Sequence, residues 1–251
     1  MLPLLNISGN MKKKSKLNVL LEDTPLTYYW IGFLLADGNF GEENLIKVGL
    51  ASLDKEHLIK LQKFLNIDNI TMRKDGKAYY IKAMDTKIIS ILCKKFDIKQ
   101  NKTYFPPNIN SLDIKNKDLM ISLIAGFIDG DGSIRPKHKG FSLTIKCHGS
   151  WIDVLDFFCK KIKPDSSAKI NSYGYAHFSI SNDIILKELK RNVERLNLPV
   201  LKRKWDLIDL DYIKRKNLVE MNFKKFKFLY KKLMAIPEFK LTVKKFIDEN
   251  K

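Results

Sequence analysis

Cysteine, histidine and long apolar runs are all scarce in this chain, and each scarcity excludes a class of function. Three cysteines, Cys93, Cys147 and Cys159, cannot make a paired disulfide framework, and none has metal-ligand spacing. They point to a reducing compartment. Four histidines are scattered at 57, 138, 148 and 177, which argues against a zinc site. The longest apolar run, Leu119 to Ile128, is far short of a membrane span. The opening "MLPLLNISGNMKKK" is too short in its apolar part, and wrongly ordered, for a signal peptide. A soluble intracellular protein with no membrane partner is expected, its compartment open.

Acids are scarce too: 28 against 46 basic residues, for a net charge of +18. Charge on that scale suits a polyanion, and nucleic acid is the commonest soluble one. Only 6 of the basic residues are arginine and 40 are lysine, so A/T-rich codon usage accounts for part of the excess. With 45% hydrophobic and 11% aromatic residues over 251 positions, the chain is globular, one large domain or two small ones.

A repeat organises the rest. "GFLLADGNF" (Gly32 to Phe40) and "GFIDGDGSI" (Gly126 to Ile134) align without a gap and place Asp37 on Asp131. Each leads to a strand-like alternation, "LIKVGLA" and "FSLTIKC", and then to an amphipathic helix, "KEHLIKLQKFL" and "WIDVLDFFCKKI". Hairpins follow, turning at Asp75-Gly76 in the first copy and around Gly174 in the second. Further helices start near the capping residues Asp85 and Asp183. The copies close with "IKQNKTYFPP" and "LPVLKRKW", which set Lys102 opposite Lys202. Each copy thus reads helix, two strands, helix, two strands, helix. The expected divisions are an N-terminal extension (1–24), a first repeat (25–103), a linker (104–116), a second repeat (117–210) and a C-terminal helical extension (211–251). That last, Lys- and Phe-rich segment reads as two helices broken at Pro237, either covering the core or gripping phosphates.

The acids carry the chemistry. Gly32 and Ala36 are four apart, as are Gly126 and Gly130, so each pair lies on one helix face and two such faces can pack backbone against backbone. Gly38 and Gly132 fit the position that ends each helix. Asp37 and Asp131 then meet at adjacent helix C-termini, where mutual repulsion and the helix dipoles disfavour both charges. A hard divalent cation between them reverses that balance, with the carbonyls of Ala36 and Gly130 near enough to help. Such an ion activates water and stabilises charge on a phosphate under attack.

The stretches "WIGFLLADG" and "IAGFIDGDG" resemble the two signature motifs of the LAGLIDADG homing endonucleases, in the single-chain, two-repeat form. The resemblance covers about residues 25 to 210, and the first motif departs from it at Leu35, where the family often has an acid. It implies an α+β fold of two pseudo-symmetric αββαββα repeats packed through their signature helices, with antiparallel sheets forming a saddle over double-stranded DNA. It implies that Asp37 and Asp131 bind metal at the scissile phosphates, with Mg2+ or Mn2+ supporting cleavage and Ca2+ binding without it. It implies that both strands are cut across the minor groove. It also implies basic or polar residues around the metals that position water, for which Lys102 and Lys202 are the candidates by motif position.

The strands are expected to read sequence in the major groove. Alternation sends Lys47 and Gly49 one way and Val48 and Leu50 the other. It also turns Ser142, Thr144 and Lys146 to DNA and Leu143, Ile145 and Cys147 to the core. Arg73, Lys82, Lys169, Asn171, His177 and Ser179 are the hairpin candidates, while Arg135, Lys137 and Lys139 are expected in a loop holding backbone phosphates. The reading is a monomeric, site-specific DNA endonuclease of intron homing. An RNA maturase that assists intron splicing is the alternative, disfavoured because both motif acids are present. A DNA-binding regulator would need a fused helix-turn-helix, and the basic tail shows no clear one.

Overall fold

The computed structural model describes residues 17–41, 44–109, 114–137 and 140–208. Two halves of matching element order make up this region. The first runs α1 (Pro25–Asp37), β1 (Gly38–Gly41), β2 (Leu45–Ala51), α2 (Lys55–Leu65), β3 (Thr71–Met72), β4 (Ala78–Met84) and α3 (Thr86–Lys95). The second runs α4 (Lys117–Asp131), β5 (Gly132–Pro136), β6 (Phe141–His148), α5 (Ile152–Ile162), β7 (Lys169–Ile170), β8 (Tyr175–Ile180) and α6 (Asp183–Arg195), closed by a short α7 (Lys202–Trp205). Each half contains an antiparallel four-stranded sheet, ordered β1-β2-β4-β3 and β5-β6-β8-β7. The fold is the expected α+β arrangement.

Local chemistry explains where the helices begin. Thr24 caps α1 by accepting the Thr27 N–H at 3.1 Å, and Pro25 supplies a preset φ at the first helical position. Asn116 caps α4 by accepting from Asp118 and Leu119. Apart from its first two residues, α1 is buried on every face up to Leu35, the signature of a core helix rather than a surface one. The amphipathic helices α2 and α5 bury Leu58, Leu61 and Leu65, and Val154, Leu155 and Phe158. A 3-10 turn, Leu17–Leu21, packs Leu17 and Leu20 into the first half.

Three local expectations change. The N-cap of α6 is Asn182, whose side chain accepts from Ile184 and Ile185; Asp183 is instead turned to the Phe141 N–H at 2.9 Å. The first hairpin closes with Arg73 N–H donating to Ala78, leaving four loop residues rather than two, with Gly76 at φ +68°. Arg135 belongs to β5, paired with Ser142, and is not in a loop. Lys139 and the expected C-terminal extension lie outside the described residues.

Candidate active site

The signature helices α1 and α4 touch through their backbones. A Cβ on Gly126 would overlap the Tyr29 carbonyl oxygen, and one on Gly32 would overlap that of Leu123. At Gly130 it would overlap the Ala36 Cβ and stand 3.4 Å from the Asp37 Cγ. Gly32, Ala36, Gly126 and Gly130 therefore come together at one contact. Gly38 and Gly132 end the helices with an extended, not left-handed, backbone. Their glycine requirement is steric: a Cβ there would lie 2.5 Å from the Leu34 or Ile128 carbonyl oxygen.

This contact sets Asp37 and Asp131 side by side at the two helix ends. Both residues reach solvent, yet neighbouring protein removes part of their hydration. Desolvation first, and repulsion from Asp131 second, push the Asp37 carboxyl up to about 6. Desolvation likewise raises Asp131, while a hydrogen bond from the Cys147 thiol, Sγ to Oδ2 at 3.5 Å, pulls it down. Cys147 was expected in the core with Leu143 and Ile145; it is half-buried and turned to this acid.

Two lysines flank the acids. Lys102 Nζ donates to the Leu35 and Ala36 carbonyls at 2.7 and 2.8 Å. Lys204 Nζ donates to Ile128, Asp129 and Gly130 at 3.0, 2.6 and 3.2 Å. Lys204, not Lys202, is thus the pseudo-symmetric mate of Lys102. Lys202 starts α7 on its exposed side, whereas Lys204 is 7% exposed. The sequence "KRK" offers both residues within one turn, and only the direction of that turn separates them. Burial depresses both Lys102 and Lys204, opposed by the acids. Lys204 lowers Asp37 more than Lys102 does, and the order reverses at Asp131.

Neither a family model nor a curated protein matches this sequence. Solved structures do. I-GzeII, a LAGLIDADG homing endonuclease in complex with its DNA target, superposes with TM-score 0.53 at 15% identity, covering 86% of this chain and 99% of that one. I-LtrWI, a LAGLIDADG homing endonuclease bound to target DNA, gives 0.50 at 14%, covering 89% and 97%. I-SmaMI, bound to uncleaved DNA target in the presence of calcium ions, gives 0.50 at 13%, covering 88% and 96%. The chain has the LAGLIDADG homing endonuclease fold.

In this LAGLIDADG fold the outward sheet faces hold most of the residues singled out from the strands. Lys47, Gly49 and Lys82 are exposed, and Lys47 pairs directly with Lys82 across β2 and β4. Tyr80, unmarked in the sequence because Tyr79 beside it blurs the alternation, lies under both: the two ammonium groups are 5.1 and 5.8 Å from its ring. Arg73 is exposed and paired with Asp75. On the second sheet Lys146, Lys169 and Ser179 are exposed, with Thr144 and His177 half-covered. The Thr144 and Ser179 hydroxyls are 2.8 Å apart. Ser142 shares their side of β6 but is 6% exposed. The Asn171 side chain is committed to its turn, accepting from Tyr173 and Tyr175. Arg135 and Lys137 are exposed and held by Ser133 and Ser181.

Asp129 faces Leu35 in the alignment of the two copies, so the sequence reads it as a structural or supporting acid rather than a metal ligand. It is 2% exposed and fully engaged: Oδ1 accepts the Trp205 indole at 2.7 Å, and Oδ2 accepts the Tyr29 hydroxyl at 2.7 Å and the Leu201 N–H at 2.9 Å. Behind it the Tyr29 hydroxyl meets His57 Nε2 at 3.0 Å, and desolvation holds that imidazole down at about 3. Because Tyr29 donates to Asp129, its oxygen takes the His57 Nε2–H, the tautomer of a neutral ring.

Proposed function

We propose that this protein is a site-specific DNA endonuclease that hydrolyses one phosphodiester bond in each strand, with Asp37 and Asp131 as the paired metal ligands. The observation that carries the reading is the acid pair itself. Two backbones in contact through glycine force two carboxylates together at helix C-termini, a cost that folding does not require. A divalent cation turns the cost into binding energy.

The donor set fits a hard cation. It consists of the two carboxylates; the carbonyls of Ala36 and Gly130, expected to help, already accept the Lys102 and Lys204 ammonium groups, and oxygen-only surroundings suit Mg2+, Mn2+ or Ca2+. Among the described residues no group of three or more His, Cys, Asp or Glu gathers, so water and phosphate oxygens would complete the shell. A bound cation there would supply Lewis acidity and an activated water. The presence of calcium with the uncleaved target of I-SmaMI supports the same class of ion. The chain's own residues do the rest. Lys102 and Lys204, tied to the carbonyls that precede each acid, hold positive charge beside the reacting phosphates. They limit repulsion between DNA and the acid pair and orient water. Lys202 belongs with phosphate contacts on the exposed face.

Double-stranded DNA is the partner this surface suits. Like charges set directly opposite on a sheet, as Lys47 and Lys82 are, destabilise it; a polyanion relieves them. The strand residues Lys47, Gly49, Lys82, Thr144, Lys146, His177 and Ser179 are placed to meet base edges, while Arg73, Arg135, Lys137 and Lys169 suit phosphates. One chain carries both acids, so a monomer makes the complete site. The intact pair favours the nuclease over the RNA maturase. The test is substitution: Asp37→Asn or Asp131→Asn should abolish double-strand cleavage with DNA affinity retained, and chelation should do the same. Full cleavage by both variants refutes the assignment.

A further inference from the structure

The two lysines occupy matching positions, but different devices hold them there. On the second side, residue 129 grips the chain that carries Lys204 at three points. Its carbonyl accepts Lys204 Nζ, and its carboxylate accepts Leu201 N–H and the Trp205 indole, on either side of that lysine. The Tyr29 hydroxyl from α1 fixes the same carboxylate. A second strap runs from the start of α2: Asp54 takes two of the three Arg203 nitrogens, Nε at 2.5 Å and Nη2 at 2.6 Å.

On the first side the signature helix has Leu35 in place of Asp129, and a side chain without polar atoms cannot grip anything. Lys102 is fastened from the other half instead. The Trp151 indole donates to the carbonyls of Lys102 and Thr103 at 3.1 and 3.2 Å, and Ser150 Oγ donates to Thr103 at 2.8 Å. Trp151 is itself 4% exposed and packed against Phe127, with ring centroids 5.5 Å apart.

We infer that the two cleavage centres are locked independently: Asp129, with Tyr29 and the Asp54–Arg203 pair, positions Lys204, while Trp151 with Ser150 positions Lys102. None of these locking side chains needs to touch DNA; they are positioning residues. Independence follows from hydrogen-bond sets that share no residue. A lysine released from its main-chain anchor keeps its charge but loses its place, and catalytic geometry tolerates little displacement. Loosening one lock therefore slows one strand only.

The inference rests on the nuclease reading, and a strand-resolved assay separates the two. The wild-type protein selects cleavable sites from a randomised duplex library with Mg2+, and one recovered duplex is labelled on each strand in turn. Tyr29→Phe and Asp54→Asn should slow one strand about tenfold and leave the other near the wild-type rate. Trp151→Phe, which keeps the ring but not the donor, should slow the opposite strand by a similar factor. DNA affinity should stay within about twofold. Ser150→Ala serves as the second first-side variant if Trp151→Phe melts early. Equal slowing of both strands, the same strand affected from both sides, or no change in any variant overturns the independent locks. A wild-type protein that cuts nothing instead sinks the nuclease reading.

Discussion

Gly126→Ala is the sharpest physical test of the helix contact, because one methyl group is asked to enter a space occupied by backbone. Its Cβ would stand 2.8 Å from both the Phe33 nitrogen and the Tyr29 carbonyl carbon, and nearer still to the Tyr29 oxygen. Favourable heavy-atom contacts lie at about 3.5 Å or more, so relief of these two contacts alone parts α1 and α4 by about 0.7 Å, and relief of the Tyr29 oxygen needs more. A gap of that size forfeits about a quarter to a half of each dispersion contact across it. The neighbours lost are large: Phe33, Leu34, Phe127 and Ile128 are all fully buried here. Overpacking costs about 1–3 kcal/mol where side chains can yield, and here the obstacle is main chain, so about 3 kcal/mol is the working figure. The better helix propensity of alanine returns about 1 kcal/mol. The net loss is about 2 kcal/mol, or about 4–8 °C in Tm for a chain of this size. Gly49→Ala is the control: the same methyl group meets nothing closer than 3.7 Å, and its Tm should stay within about 2 °C. Thermal melting followed by circular dichroism decides. If Gly126→Ala melts with Gly49→Ala, the helices are not in backbone contact and the site built on that contact fails with it.

Other outcomes follow from the same geometry. Lys102→Ala and Lys204→Ala should each lower cleavage by at least about tenfold at saturating DNA, whereas Lys202→Ala should act mainly on affinity; the reverse pattern refutes the assignment of Lys204 as the mate of Lys102. The raised Asp37 carboxyl makes a signed prediction about pH. The folded chain holds a proton that the unfolded chain releases between pH 3.8 and about 6, so this group's contribution to stability is full below 3.8 and lost as pH rises through 6. Asp37→Asn should therefore be the more stable protein at pH 8 without metal, with the advantage gone by about pH 3.5; urea titrations at the two pH values check this. Ca2+ binding, followed by the rise in Tm it causes, should weaken below about pH 6 as Asp37 protonates. Finally, Lys82→Ala should remove the unfavourable pairing with Lys47, leaving stability equal or higher, while DNA affinity falls and discrimination among single-base variants of a cleavable site relaxes at the contacted position.

Much of this molecule was legible as pattern. The two gap-free motifs, the alternation in "LIKVGLA" and the amphipathic helices depend on periodicities of 3.6 and 2, which a chain displays wherever one face is buried. From them come the order of elements, the paired helices with small residues at four-residue spacing, the acid pair at their ends and the outward placing of Lys47, Gly49 and Lys146. Where neighbouring residues compete for one role, pattern does not choose. Lys202 and Lys204 lie two apart, and the direction in which α7 starts decides between them. Tyr79 and Tyr80 are adjacent, and strand pairing decides which of them meets Lys47.

What tertiary structure alone determined is the company each residue keeps. Asp129 reads as a second acid in a motif; only the fold brings Tyr29, 100 positions away, and Trp205, 76 positions away, to its carboxylate. His57 reads only as one of four scattered histidines, and packing against α1 makes it a buried neutral ring. Cys147 reads as core, and the fold sets its thiol against the Asp131 carboxylate. Periodicity reports which face of an element is wet or dry, because that depends on the element alone. Hydrogen-bond partners depend on how two elements cross, and that is set by the glycine contact between α1 and α4.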